Sequence, residues 1–91
     1  MQFEWDERKA ERNLRVHGVS FAEAATVFDD PLFLTFADSD HSQHEQRYII
    51  MGESNKGRLL VVAYTTRGSI TRLISAREAT RGEKRHYEED I

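Results

Sequence analysis

The stretch Arg58–Ala76, which reads RLLVVAYTTRGSITRLISA, decides the fold of this 91-residue chain. Leu59-Leu60-Val61-Val62 is apolar on both faces of an extended segment, which indicates a strand at the centre of a sheet. The turn residues Thr66-Arg67-Gly68-Ser69 follow, because glycine and serine favour tight turns. Such a short connection joins only antiparallel neighbours, so the stretch predicts two paired strands over Arg58–Thr65 and Ile70–Ala76.

Two further strands are predicted upstream of this hairpin, over Leu32–Ala37 and Arg47–Gly52, where the apolar residues have a period of two. A loop over Glu53–Gly57 joins them to the hairpin. The four strands therefore predict an antiparallel four-stranded meander.

Capping residues mark the first predicted helix. Asp6 is a candidate N-cap for a helix over 7–17, and Gly18 stands where a left-handed glycine ends such a helix. One face of this helix would carry Ala10, Leu14 and His17.

Two capping boxes mark the other helices. Ser20 opens an S-x-x-E box, so a second helix should begin at Phe21 and end at Asp29-Asp30-Pro31, because proline disfavours helix at the residue before it. Thr80-Arg81-Gly82-Glu83 is a second box, which predicts a short final helix through Glu89.

With a short strand over 2–5, the predicted order is β-α-α-β-β-β-β-α, a single α+β domain over residues 1–91. The two N-terminal helices are expected to pack on one face of the meander. A chain of this size has room for one thin core and no second domain.

Composition excludes several classes of function. The chain has no cysteine, which rules out a disulfide scaffold, a cysteine zinc site and a thiol nucleophile. No apolar stretch approaches the roughly 18 residues that cross a bilayer, and the first residues lack a signal-peptide pattern. We therefore expect a cytoplasmic protein without membrane association, and we expect no cofactor and no metal.

A net charge of −3 conceals a basic segment. Between residues 61 and 87, six basic residues stand against two acidic ones, a local charge of +4. Its arginines can cradle a phosphodiester and stabilise developing charge, or they can simply solvate a surface and pair with glutamates. The candidate residues are Arg72, Arg77, Arg81 and Arg85, with His86 and Tyr87.

Arg72 and Arg77 lie on one predicted strand at an odd separation. Side chains alternate along a strand, so an ideal strand places the two on opposite faces. They share a surface only if the strand ends or bulges between them.

His17 is a second candidate for chemistry, because imidazole is the usual general base for activating a ribose 2′-hydroxyl. A histidine in the last turn of a helix is also favoured by the helix dipole alone. The segment Asp38–Glu45 holds carboxylates and histidines, but its spacing matches no defined metal motif and a surface loop is the simpler interpretation. Trp5 and Tyr48 are expected to fill the core.

Several short motifs, in their order along the chain, resemble the BrnT family of toxins from type II toxin–antitoxin modules. They are Phe3-Glu4-Trp5-Asp6, Lys9, Asn13, His17-Gly18-Val19-Ser20-Phe21, Phe28-Asp29-Asp30-Pro31 and Ile74-Ser75-Ala76-Arg77. The similarity runs nearly end to end, through Asp40-His41-Ser42, Glu45-Gln46-Arg47-Tyr48 and Thr80–Tyr87.

The resemblance implies a RelE-like fold and an endoribonuclease that cleaves messenger RNA. It also implies a BrnA antitoxin with a DNA-binding ribbon-helix-helix domain, a heterotetramer of the two proteins, and repression of their operon, with operator DNA bound only through the antitoxin. We expect the antitoxin to cover the basic patch and to inhibit by occlusion.

The polar positions that match the family are Lys9, His17, Arg47, Arg72, Ser75, Arg77, Arg85 and Tyr87. Relatives commonly carry a lysine before the His-Gly pair, and this chain has Val16 there, so a basic group is missing beside His17.

Cleavage of RNA without a metal needs a base, a cationic clamp for the phosphate and an acid for the leaving oxygen. We assign the clamp to Arg47, Arg72 and Arg77, with most weight on Arg77, and the base to His17. The expected RNA contacts are Lys9, Arg81, Arg85 and Tyr87, of which Tyr87 or Arg85 would serve the leaving group. The alternative is a non-catalytic module whose arginine surface binds a partner protein or nucleic acid, and a metal-dependent hydrolase is a distant third.

Overall fold

The hairpin predicted from Arg58–Ala76 lies at the centre of the sheet in the computed structural model, which describes residues 1–38 and 45–89. The strands are β1 (Gln2–Glu4), β2 (Leu34–Ala37), β3 (Arg47–Glu53), β4 (Leu59–Arg67) and β5 (Ile70–Glu78). Their order across the sheet is β1-β5-β4-β3-β2. The strand with apolar residues on both faces, β4, is therefore the central one, as predicted.

The predicted four-stranded antiparallel sheet is wrong in one respect, because the sheet has five strands and is mixed. β2 to β5 pair in sequence order and antiparallel. β1 joins the other edge in parallel with β5, pairing Gln2 with Ile70 and Glu4 with Arg72. A parallel pair needs a long connection, and here everything between β1 and β5 provides it.

The helices are α1 (Glu7–His17), α2 (Phe21–Ala25) and α3 (Arg81–Glu89), with a 3-10 helix over Thr26–Asp29. The predicted caps of α1 are confirmed: Asp6 Oδ1 accepts from the backbone N–H of Arg8 and Lys9, and Gly18 has φ +69°. The second helix was expected to continue to Asp29, but its second half is 3-10, an element that the predicted order lacks.

The main core lies between the sheet and the helices α1 and α2. Its buried members are Val19, Phe21, Ala24, Val27, Ile50, Leu60, Val62, Leu73 and Ala76. Trp5 packs edge-on against Phe21, with ring centroids 5.9 Å apart. Tyr48 is half-buried and stacks on Tyr64 at 5.5 Å. A smaller cluster of Met51, Val61 and Tyr87 lies on the opposite face, under α3.

The face of α1 that is buried differs from the predicted one. Leu14 and His17 are exposed, Ala10 is half-buried, and the one buried residue of α1 is Asn13. α1 approaches the open edge of β5 rather than its apolar surface, so a polar side chain is needed at the contact.

Within residues 1–38 and 45–89, every helix is too short or too polar to cross a membrane. Of the loop Asp38–Glu45, considered above as a metal site, residues 39–44 lie outside the described residues.

Candidate functional site

A β-bulge brings the three clamp arginines to one face of the sheet. The pairing shifts register after Ala63, so Ala63 is opposite Ser75 while Thr65 is opposite Arg72, and Ile74 is the extra residue. Val61, which points to the same side as Ala63, is opposite Arg77. Arg72 and Arg77 therefore lie on the same face of the sheet, and the bulge between them meets the condition stated in the sequence analysis.

Arg47 reaches the same face from β3. It is opposite Thr65, which is itself opposite Arg72 on the next strand. We call this side of the sheet, which lies opposite α2 and the main core and is bordered by α1 at the edge of β5, the cationic face.

One cavity on the cationic face brings His17 and Arg77 together. Its volume is about 290 Å³, and its lining residues are His17, Ile49, Val61, Ala63, Ser75, Ala76 and Arg77. The apolar side chains form one wall, and the imidazole, hydroxyl and guanidinium groups provide the polar lining. Within the described residues, no hydrogen bond occupies the His17 imidazole, which is exposed at the last turn of α1.

A second cavity, of about 310 Å³, adjoins the first and shares His17 and Ser75 with it. Lys9 and Arg12 line it from α1, and Arg47 lines it from β3. Three positive charges thus line a depression next to the His17–Arg77 cavity. Such an arrangement attracts an anion even though the whole chain is acidic, because a ligand responds to the local field.

Asn13 fixes α1 beside these cavities. Its Nδ2 donates to the carbonyl oxygens of Val19 and Ala76 at 2.9 and 2.8 Å, and its Oδ1 accepts from the N–H of Ala76 at 3.0 Å. The carboxamide therefore bonds the edge of β5 as a neighbouring strand would, beyond the point where β1 ends. This contact sets the position of His17 relative to β5.

Arg77 is held by a carboxylate from α3. Its Nη1 donates to Glu83 Oε1 at 2.7 Å and its Nη2 donates to Glu83 Oε2 at 2.9 Å. The hydrogen bonds from Arg77 lower the pKa of Glu83 to about 2, against the cost of burial. The same pair raises the pKa of Arg77.

Arg72 lies on the cationic face but lines neither of the two cavities as the structure describes them. Its Nη1 donates to Glu4 Oε2 on β1, the strand that the meander prediction left out of the sheet. Part of its charge is thereby neutralised within the protein.

Tyr87 lies away from the two cavities that His17 lines. It is buried, and its hydroxyl donates to Asp30 Oδ2 at 2.7 Å, in a different cavity that Asp29, Asp30 and Glu53 also line. Burial, together with the Asp30 carboxylate, raises the pKa of Tyr87 to about 12. Arg81 and Arg85 are exposed on α3.

Sequence reasoning missed two residues that shape the site. The capping-box pattern predicts that Glu83 accepts from the Thr80 N–H, and it does so at 2.9 Å, but no local pattern indicates its pairing with Arg77. Asn13 entered only through the family resemblance. A polar residue among the inward positions of an amphipathic helix was the available signal.

An imidazole, a serine hydroxyl and several cationic groups around connected cavities are suited to binding a phosphodiester and moving a proton at it. The fold and this site define a small α+β protein of the kind that acts on nucleic acid.

Comparison with known proteins identifies a family that acts on RNA. Residues 5–83 match the family model described as "Ribonuclease toxin, BrnT, of type II toxin-antitoxin system". Since the match covers most of the chain, the protein belongs to the BrnT family of ribonuclease toxins. The crystal structure of the Brucella abortus ribonuclease toxin BrnT superimposes with a TM-score of 0.68 and 26% sequence identity, over 89% of this chain and 99% of that one. No curated protein sequence matches the chain significantly. A toxin of a type II system acts with an antitoxin, so family membership also implies an antitoxin partner.

Proposed function

We propose that this protein is an endoribonuclease toxin that cleaves messenger RNA in the cytoplasm without a metal ion. The observation that supports the proposal most directly is the cavity shared by His17, Ser75 and Arg77, which adjoins the one lined by Lys9 and Arg47. A base and a cationic clamp thus face the same exposed depression.

In the proposed reaction, His17 accepts the proton of a ribose 2′-hydroxyl, and the 2′ oxygen attacks the adjacent phosphorus. Arg77 and Arg47 stabilise the negative charge that grows on the non-bridging oxygens. The bond from phosphorus to the 5′ oxygen breaks, and that oxygen takes a proton from the solvent to which the cavity is open. The products are a 2′,3′-cyclic phosphate and a 5′-hydroxyl.

The remaining cationic residues are proposed as RNA contacts. Lys9 lines the second cavity, and Arg81 and Arg85 are exposed on α3. Arg72, which was assigned to the clamp, lies on the cationic face but is paired with Glu4 and lines neither cavity as the structure describes them, so we propose it as an RNA contact instead. Tyr87 was a candidate for the leaving group, but its hydroxyl is engaged by Asp30 in a different cavity, so we assign no proton transfer to it.

We further propose that the antitoxin is BrnA-like, that it occludes the cationic face, and that the two proteins form a heterotetramer that represses their operon. The support is the charge of this face, which complements an acidic segment, and the family's membership of type II systems.

The direct test is cleavage of purified RNA by purified protein in EDTA. We expect wild type to cut, and Arg77→Ala and His17→Ala to lose at least roughly 100-fold in rate. Lys56→Ala is the control: Lys56 is an exposed cationic residue in the loop between β3 and β4, and it lines neither cavity as the structure describes them. It should cut like wild type. Circular dichroism would verify that each variant is folded.

Each other outcome points to a specific alternative. Cleavage that EDTA abolishes and magnesium restores would indicate a metal-dependent hydrolase. No cleavage under either condition, with RNA binding that weakens as salt rises, would support the non-catalytic binding module. Full activity of Arg77→Ala would remove the clamp assignment.

A further inference from the structure

We infer that Glu83 is a positioning residue for Arg77: its carboxylate holds the end of the guanidinium so that the opposite edge is presented to the substrate phosphate. The inference rests on the proposed clamp role of Arg77 and adds to it a residue that does not itself touch the RNA.

Arg77 has more N–H groups than its partners within the described residues occupy. A guanidinium has five, arranged in a fixed plane. Glu83 takes one from Nη1 and one from Nη2, and the carbonyl oxygen of Glu78 accepts a further bond from Nη1 at 3.3 Å. Within the described residues, the Nε–H and the second N–H of Nη2 have no partner.

These two remaining groups lie parallel on one edge of the plane, which is the geometry that binds two oxygens of a phosphate. The carboxylate therefore occupies the end of the guanidinium and leaves this edge open. A carboxylate that competed with phosphate would instead occupy the fork formed by Nε and Nη2, as Glu23 does on Arg58.

Glu83 is itself held in place by Thr80. Its Oε1 accepts from the Thr80 N–H at 2.9 Å, and its own N–H donates to Thr80 Oγ1 at 3.2 Å. The backbone N–H of Thr80 thus holds the carboxylate at the first turn of α3, while the Thr80 hydroxyl caps the backbone of the same turn. The Glu83 pKa of about 2 keeps the carboxylate ionised at neutral pH, which suits an anchor and makes it a poor general base.

The test compares Glu83→Gln with Thr80→Ala in RNA cleavage. Glutamine retains an oxygen for the Thr80 N–H but loses the charge and the two-point hold on Arg77. We expect kcat to fall roughly 10- to 100-fold, because small displacements of a positioned group have effects of this size, with KM changed much less.

Thr80→Ala is the matched structural control, because it removes the other half of the capping box and leaves both Glu83 oxygens free to hold Arg77. We expect it to lower the thermal midpoint of unfolding and to leave kcat within about twofold. Equal losses of kcat in the two variants would mean that Glu83 acts only through the stability of α3.

A double-mutant cycle separates this inference from the proposed function. In an Arg77→Lys background, assayed at an enzyme concentration raised until cleavage is detected, Glu83→Gln should change kcat by less than about threefold, since lysine has no planar fork to orient. If Glu83→Gln lowered kcat as much in the Arg77→Lys background as in wild type, the positioning role would be overturned. If Arg77→Ala cuts normally, the clamp itself fails. If Arg77→Ala is inactive while Glu83→Gln equals or exceeds wild type, the clamp stands and Glu83 is a competitor instead.

Discussion

Two arginine–glutamate pairs of similar composition have opposite arrangements in this protein. Arg58 donates from Nε and Nη2 to Glu23 at 3.0 and 2.5 Å, from Nη2 to the Gly18 carbonyl oxygen at 3.1 Å, and its Nη1 lies 3.5 Å from Glu78. Its donor groups on every nitrogen are engaged. Arg77 is bound through Nη1 and Nη2, by Glu83 and the Glu78 carbonyl oxygen, and its Nε–Nη2 edge has no partner among the described residues.

Burial follows the same division. The Glu23 side chain is 1% exposed and also accepts from Ser54 Oγ, whereas those of Arg77 and Glu83 are 42% and 34% exposed. The first pair joins α2 to the loop between β3 and β4, so it belongs to the architecture. The comparison teaches that the number of unused donors, rather than the presence of an ion pair, distinguishes an arginine that is available for a ligand.

The largest expected effect on stability is that of Arg58→Ala. The variant leaves the buried Glu23 carboxylate with Ser54 as its remaining side-chain donor, so a buried charge loses its cationic partner. Urea unfolding would measure the loss. Cleavage per folded molecule should be unchanged, and a loss of activity without a loss of stability would reverse the roles assigned to the two arginines.

A smaller effect, which depends on pH, is expected for Glu23→Gln. The hydrogen bond from Arg58 lowers the pKa of Glu23 in the folded protein, against the effect of burial. A lowered folded-state pKa stabilises the protein above the unfolded pKa, and this contribution is lost as pH falls through the folded value.

The variant should therefore be less stable than wild type by about 2 kcal/mol at pH 7, the scale of a hydrogen bond to a charged group. The difference should narrow as the pH falls below 4.5, the ordinary value for glutamate. Denaturant titrations at pH 7, 5 and 3 would measure it, and a constant gap at all three would contradict the assignment.

Ser54→Ala should cost about 1 kcal/mol, because it removes the neutral donor to Glu23 and leaves the charged one. Ser69→Ala, at an exposed turn position, is the control and should be neutral. A loss as large as that of Arg58→Ala would show that Ser54, and not the arginine, is the principal partner of Glu23.

The smallest change in stability is expected for Arg77→Ala, below about 1 kcal/mol, because its ion pair is largely solvated. Its cleavage rate should nevertheless fall furthest. A thermal midpoint far below that of wild type would place Arg77 with the architectural residues and remove the contrast between the two pairs.

Local signals predicted the fold well where the interactions are local. Asp6, Gly18 and the Thr80 box act within one helical turn, and the hairpin of β4 and β5 is closed by a tight turn. β1 was assigned as a strand but not placed, because three residues carry almost no pattern and their partner lies at Ile70–Arg72. The bulge at Ile74 could not be predicted outright, since the sequence of β5 does not determine which alternate side chains face the core.

The candidate site was predictable in its residue types and not in its pairings. The arginines and His17 were recognisable by their chemistry, and the structure brings His17 and Arg77 to one cavity. Glu23 and Glu83 both stand in capping boxes, a local pattern that accounts for them completely at the level of sequence. Their arginine partners are determined by how α2 and α3 pack on the sheet, which no short motif encodes.

The parallel pairing of β1 with β5 has a consequence for synthesis. A chain emerges from the ribosome N-terminus first, so β1 and α1 are synthesised long before Ile70–Glu78. β1 and Asn13 can therefore bond β5, their partner in the folded protein, only when synthesis is nearly complete. The cavity between His17 and Arg77 cannot form on a partial chain. Under the proposed function, a nascent molecule therefore cannot cleave the transcript that encodes it until its final strand has docked.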